Sequence, residues 1–239
     1  VAGMNSRQIG GNLIFHRDGH QHRLLDAFGP DVVKYVEDFV RSPLTAADAP
    51  LGWVVTLVEA GAGESTITCP DEVGGALLLT TDAAENDGIN MQLDGESFEL
   101  TSDQSAVYFG IRMKSGEATQ SDFLVGLCIT DTDLLGGMTD GVYFRKVDGS
   151  TSVAAVTEKN STETETAGVH TFAADTYVEL EFYVAGGAVY FYVNGALVAT
   201  HMTNVVDDEA ITPSIHFLTG NAAVETMTVD WVRAIQIGR

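Results

Sequence analysis

The sequence predicts a mainly β protein: an antiparallel β-sandwich over residues 50–239, preceded by an N-terminal arm and one short helix within residues 1–49. Three observations carry this. Apolar and polar residues alternate along most segments past Trp53, as strands with one buried face require. Clusters of Gly, Asp, Asn, Ser and Thr separate those segments at short intervals. No long helical pattern stands between them, which disfavours a parallel sheet with crossover helices.

Residues 1–29 form the arm, with polar and glycine-rich punctuation and most of the histidines. His16, His20 and His22 suggest a zinc or nickel site, but Gly19 breaks any helix that would present them together, and the arm reads as solvated or partner-contacting. Residues 30–41 have the best helical spacing: Val32, Val33, Val36, Phe39 and Val40 would share one face. Pro30 suits a first turn, where the missing N–H costs nothing, and Ser42-Pro43 would stop the helix. So short a helix must dock on something.

Past Trp53, Val107, Phe109, Ile111 and Met113 alternate with Tyr108, Gly110, Arg112 and Lys114. Residues 123–129 are apolar on both faces, which marks a central strand. Val178, Leu180, Phe182 and Val184 share a parity, Gly186-Gly187 turns the chain into Val189, Phe191 and Val193, and Asn194-Gly195 turns it again. In the last strand, about 225–237, Met227, Val229, Trp231, Ile235 and Ile237 share a parity that Arg233 interrupts, so a bulge is expected there. Polar clusters, 159–168 among them, read as turns.

Composition narrows function. Acidic residues number 34 against 12 basic ones, a net charge of −22. Such a surface repels phosphate backbones and anionic membranes, so neither nucleic acid nor membrane is an expected partner. With 45% apolar residues the chain can fill a core. Cys69 and Cys128 make no disulfide framework and read as buried thiols. No run is long and apolar enough for a membrane span, and residues 1–5 lack the pattern of a signal peptide.

The run 189–200 (VYFYVNGALVAT), then 211–217 (ITPSIHF), then 228–233 (TVDWVR) resembles the C-terminal half of concanavalin-like, laminin-G-like β-sandwiches of the jelly-roll type. Residues 50–238 also look like the sandwich proteins of tailed-phage virions, through 53–56, 74–81, 109–114, 125–132 and 140–146. That resemblance implies a structural virion protein, a capsid decoration or head-surface subunit on the virion, with capsid or other virion proteins as partners and a homo-oligomeric state. A second function is a carbohydrate-binding module for surface glycans.

Attachment is expected through the arm and helix. Leu13, Ile14 and Phe15 offer apolar anchors, and Val32, Val36, Phe39 and Val40 a packing stripe, each side chain worth roughly 1.5–3 kcal/mol when fully buried. Arg7, Arg17 and Arg23 make this segment less acidic than the remainder. For calcium, Asp131, Asp133 and Asp140 could supply oxygen ligands. Tyr108, Tyr143, Tyr183, Tyr190 and Tyr192 suggest either an aromatic platform or cross-strand pairs.

An enzyme is not expected. A glycosidase needs two carboxylates flanking the scissile bond, and glucanases of this fold carry three acids on one strand. Here Glu179-Leu-Glu181 lacks a third acid, and Asp94 to Glu99 lacks the central one. No nucleophile-elbow motif occurs.

Overall fold

A computed structural model describes residues 3–40, 49–59, 61, 63–100 and 106–238. They build an all-β molecule of two eight-stranded antiparallel sheets and a three-stranded sheet. The expected sandwich is therefore present, and among the described residues there is no helix.

The three-stranded sheet is a meander of β1 (Met4–Ile9), β2 (Asn12–Arg17) and β3 (His20–Phe28). Gly10 and Gly11 turn the first hairpin at positive φ (56° and 87°), as a tight two-residue hairpin loop demands. The first large sheet has the order β17 (Ala196–His201), β16 (Ala188–Val193), β15 (Val178–Ala185), β10 (Ala106–Ser115), β19 (Thr226–Ile237), β7 (Leu77–Thr80), β6 (Thr66–Thr68). The long β19 also pairs with β4 (Val32–Glu37) further along the same strand. The second large sheet runs β14 (Thr162–Thr171), β13 (Ser152–Lys159), β12 (Gly141–Lys146), β11 (Ser121–Cys128), β18 (Ala210–Thr219), β8 (Gly88–Leu93), β5 (Trp53–Val58), with the short β9 (Phe98–Glu99) also on β18.

The core lies between the two large sheets. Inward parities of β10, β15 and β16 meet those of β11, β12 and β18, with Phe109, Phe182, Phe191, Phe144, Phe123 and Phe217 fully buried. Rings meet at 5.2 Å (Phe109–Phe182) and 5.3 Å (Phe144–Phe191, edge-on), separations typical of favourable aromatic pairs. The turns read from Gly186-Gly187 and Asn194-Gly195 stand where expected, all four residues at positive φ.

Three expectations need correction. First, the segment read as a helix is strand β4. Val33 and Tyr35 pack on the core, whereas Val32 packs on the other side against the meander. That is period two, and three valines with a tyrosine prefer a pleated surface; a short apolar run cannot be told apart by spacing alone. The stripe of Val32, Val36, Phe39 and Val40 therefore does not exist as a helical face. Ser42-Pro43 lies outside the described residues.

Second, the break in β19 falls at Asp230, not Arg233. Arg112 faces Trp231 and Met113 faces Val229, so Asp230 is the extra residue. The bulge reverses parity: Met227 and Val229 point inward before it, Val232 and Ala234 after it, and Ile235 and Ile237 point out towards the meander. Third, the polar cluster 159–168 is a hairpin and an edge strand. Asn160 and Ser161 turn at positive φ, and β14 alternates Thr and Glu on an exposed edge, charges that discourage strand pairing with another chain.

Candidate functional site

The outer face of the first sheet is partly occupied. The meander packs on it through Ile14, Leu24 and Ala27 against Tyr108, Ile235 and Ile237. Arg23 pairs with Glu179 and Glu181, and the buried Tyr108 donates to Glu181 at 2.7 Å. His22 stacks on Tyr192 at 3.6 Å. The Glu179–Glu181 pair weighed for catalysis is thus the seat of Arg23. Four of the five tyrosines belong to this covered side: Tyr108 is buried, and Tyr183 and Tyr190 face each other across β15 and β16.

The second sheet's outer face is different. Across it, Gln92 lies beside Ser214, Ser214 beside Gly126, and Gly126 beside Tyr143. In the next row Asn90 lies beside His216 and His216 beside Leu124. Gly126 is required, since a Cβ there would stand 2.6 Å from the Tyr143 backbone. The loop between β11 and β12, residues 129–140, crosses this face. Leu134 and Met138 cover Leu124, Cys128 and Tyr143. The loop is tied down by amides: Gln92 donates to the Ile129 carbonyl and accepts from Asp131 N–H, and Asn90 donates to the Asp131 carbonyl, each at 2.8 Å.

Between this loop and β5–β8 opens a cleft of about 390 Å³, lined by Val54, Thr56, Asn90, Gln92, Asp94 and Asp131 among others. His216, the cross-strand neighbour of the lining residue Asn90, does not line the cleft and has only 1% of its surface exposed. Neither ring nitrogen of His216 has a hydrogen-bond partner, nor has Asn90 Oδ1. Burial pushes the imidazole pKa down to about 4, against a smaller upward pull from Asp133, so the ring is neutral near pH 7. A buried polar atom left unpaired costs roughly 1–3 kcal/mol, so three neighbouring ones mark a place that favours a hydrogen-bonding occupant.

At the far side of the same face, the Tyr143 hydroxyl lies 2.8 Å from Glu158 and 3.1 Å from Glu163. One hydroxyl proton cannot serve both. Burial raises the Glu158 carboxyl pKa, whereas the Arg145 guanidinium lowers that of Glu163. The Tyr143 hydroxyl is the donor to either of these carboxylates, and Glu163 is also held by Arg145. This is a hydrogen-bonded cluster drawn from neighbouring strands.

The residues expected to bind calcium do not converge. Asp131 accepts from Asp133 N–H, Asp133 from Gly136 N–H, and Asp140 from Asn160 N–H and the Thr139 hydroxyl. They cap turns, and no group of three His, Cys, Asp or Glu side chains is placed to hold a metal among the described residues. The anchor residues are dispersed. Ile14 is buried under the meander and Phe39 in the main core, while Phe15 and Val32 are half-buried. Leu13, Val36 and Val40 are exposed.

Two antiparallel sheets, one outer face open and crossed by a tethered loop, define a concanavalin-like β-sandwich. No protein-family model matches the chain, and no curated protein matches it. Solved structures do. A Bacillus licheniformis β-glucanase is 12% identical, with a TM-score of 0.59 over 84% of this chain and 97% of that one. The CBM2 module of the evolved Dit protein of Lactobacillus casei BL23 phage J-1 is 12% identical, with a TM-score of 0.57 over 87% and 97%. The Emp46p carbohydrate recognition domain is 11% identical, with a TM-score of 0.57 over 83% and 94%. At these identities the likeness is one of fold.

The exclusion of enzyme activity does not stand. It rested on a missing acid triplet along one strand, yet a β-glucanase has the same sandwich fold, and two carboxylates that flank a bond need not share a strand.

Proposed function

We propose that this chain recognises carbohydrate on the outer face of its second sheet, in the cleft between β5–β8 and the 129–140 loop. The observation that carries this is the cleft's chemistry: the amides of Asn90 and Gln92, threonine hydroxyls and the carboxylates of Asp94 and Asp131 converge on a preformed groove. Small-ligand sites are typically concave with a few convergent polar groups. The likeness to a carbohydrate recognition domain and a carbohydrate-binding module supports the reading. Titration calorimetry of the chain against soluble glycans tests it: saturable heat that is lost in Gln92→Leu supports the cleft, and binding untouched by changes in the cleft removes it.

The setting fits a virion. The phage Dit module is the observation that favours this second reading. A glycan-binding sandwich on a phage surface would hold the particle to its host. The exposed Leu13 and Phe28 on the meander, with Val36 and Val40 on the strand beside it, then form the attachment surface to other virion proteins or to further copies of the chain. Changing Leu13 and Phe28 together to Asp should abolish incorporation into particles while the sandwich stays folded; normal incorporation would refute the attachment.

A further inference from the structure

We infer that two copies of this chain join edge to edge through β5, so that their second sheets run into one and their clefts abut across a two-fold axis. The pairing is independent of the carbohydrate reading; the shared groove rests on it. β5 ends the second sheet, and among the described residues it pairs with β8 alone. A strand in that position presents a row of backbone N–H and C=O groups that a further strand can pair. Native edges are blunted by charge, proline, bulges, brevity or cover, and the other edges of this molecule are. β14 carries Glu163 and Glu165, and it is latched to the β17 side by Thr166–His201 and Thr164–Thr203 bonds of 2.9 and 2.8 Å. β17 also has a bulge against β16. β6 is three residues long, and β4 carries Lys34 and Glu37. β5 (WVVTLV) has neither charge nor proline, and its register with β8 is unbroken. Its Val54 and Leu57 stand 53% and 41% exposed.

The occupant is a second copy. At a net charge of −22 two copies repel each other, and residues 51–58 form an uncharged strip along which they can approach. The strand also fits itself. Antiparallel pairing about an axis through Val55 sets Val54 against the partner's Thr56 and Trp53 against the partner's Leu57. Opposed residues then share a face, as a continuous sheet demands. Glu59, which accepts from the Ser65 N–H at 2.8 Å, lies beyond the paired run in each copy. Such a contact uses the same patch on both copies and closes at two. Val54 and Thr56 line the cleft, so pairing brings the partner's Thr56 and the partner's Val54 alongside them. The two clefts become one groove across the axis, which takes a glycan chain longer than one cleft holds.

Sedimentation equilibrium of the full chain tests the pairing. A mass twice the 25.4 kDa of one chain is expected at micromolar concentration. Association should tighten as sodium chloride rises from about 50 mM to about 500 mM, because screening relieves the repulsion. Val54→Glu should weaken it by about tenfold or more, since like charges then stand close together around the axis. In a Cys69→Ser background, Val54→Cys with Thr56→Cys should give a disulfide-linked dimer on oxidation, because opposed strand positions lie within disulfide reach. Glu163→Cys with Glu165→Cys on β14 should not. The cysteine pair identifies the strand even where Val54→Glu fails to fold. A monomer at every salt concentration overturns the inference and leaves the cleft reading intact. So does a dimer that Val54→Glu leaves undisturbed and the β5 cysteines do not lock. A β5-locked dimer that binds no soluble glycan upholds the pairing and removes the shared groove together with the cleft reading.

Discussion

Arg23 is the residue on which the docking of the meander turns. It lies almost buried between Glu179 and Glu181, and Glu181 also receives the Tyr108 hydroxyl. Removing one partner of such a pair leaves an uncompensated charge in a poorly solvated place. Arg23→Leu should therefore cost about 3–5 kcal/mol in urea unfolding; a loss near zero would show that the pair is solvated. His216 makes a second residue-scale prediction. Its folded pKa of about 4 lies below the ordinary 6.5, so the unfolded chain takes up the proton first. The stability associated with the neutral ring is fully present above 6.5 and is lost as pH falls from there towards 4, by about 3 kcal/mol. His216→Leu abolishes this contribution. The difference in unfolding free energy between wild type and variant should be flat above pH 6.5 and change steadily below it; a pH-independent difference would place the imidazole in contact with water.

At the scale of elements, β4 and its exit show how spacing can mislead. Val36 and Phe39 look equivalent on a helical wheel, but they have opposite surroundings. Val36 points to solvent on a strand paired with β19, whereas Phe39, at a φ of 53°, swings into the main core. The Phe39 N–H is satisfied by Glu37 at 2.6 Å, and the 72–75 turn packs so closely that a Cβ on Gly75 would stand 2.5 Å from the Asp38 carbonyl. Phe39→Ala should cost about 3–5 kcal/mol and Val36→Asp less than about 1 kcal/mol, measured by chemical denaturation. Equal costs would restore the picture of a shared apolar face.

For the whole molecule the dominant long-range term is its net charge of −22. Self-repulsion of this size loosens the compact state, and mobile ions screen it over about 10 Å at 0.1 M salt. Raising sodium chloride from about 20 mM to about 500 mM should raise the unfolding temperature by roughly 5 °C; an unchanged temperature would mean that the acidic groups are already compensated locally. Among the described residues the ion pairs, such as Arg145 with Glu163 and Glu165, engage a minority of the carboxylates.

Alternation and turn chemistry, which depend on near neighbours, were enough to read the sandwich. Val178 to Val184, the glycine turns at 186–187 and 194–195, and the apolar strand β11 stand where their residues imply, because a pleated strand has one period and a tight hairpin has few permitted residues. The tertiary structure decided everything that depends on which segments meet. It made β4 a strand by giving it β19 as a partner, paired Arg23 with carboxylates more than 150 residues away, and buried His216 beside Asn90 under a loop from elsewhere in the chain. The candidate cleft belongs to this second group: its walls come from β5, β8 and the 129–140 loop, and burial, on which its chemistry depends, is a property of the assembled sheets and not of any one stretch of sequence.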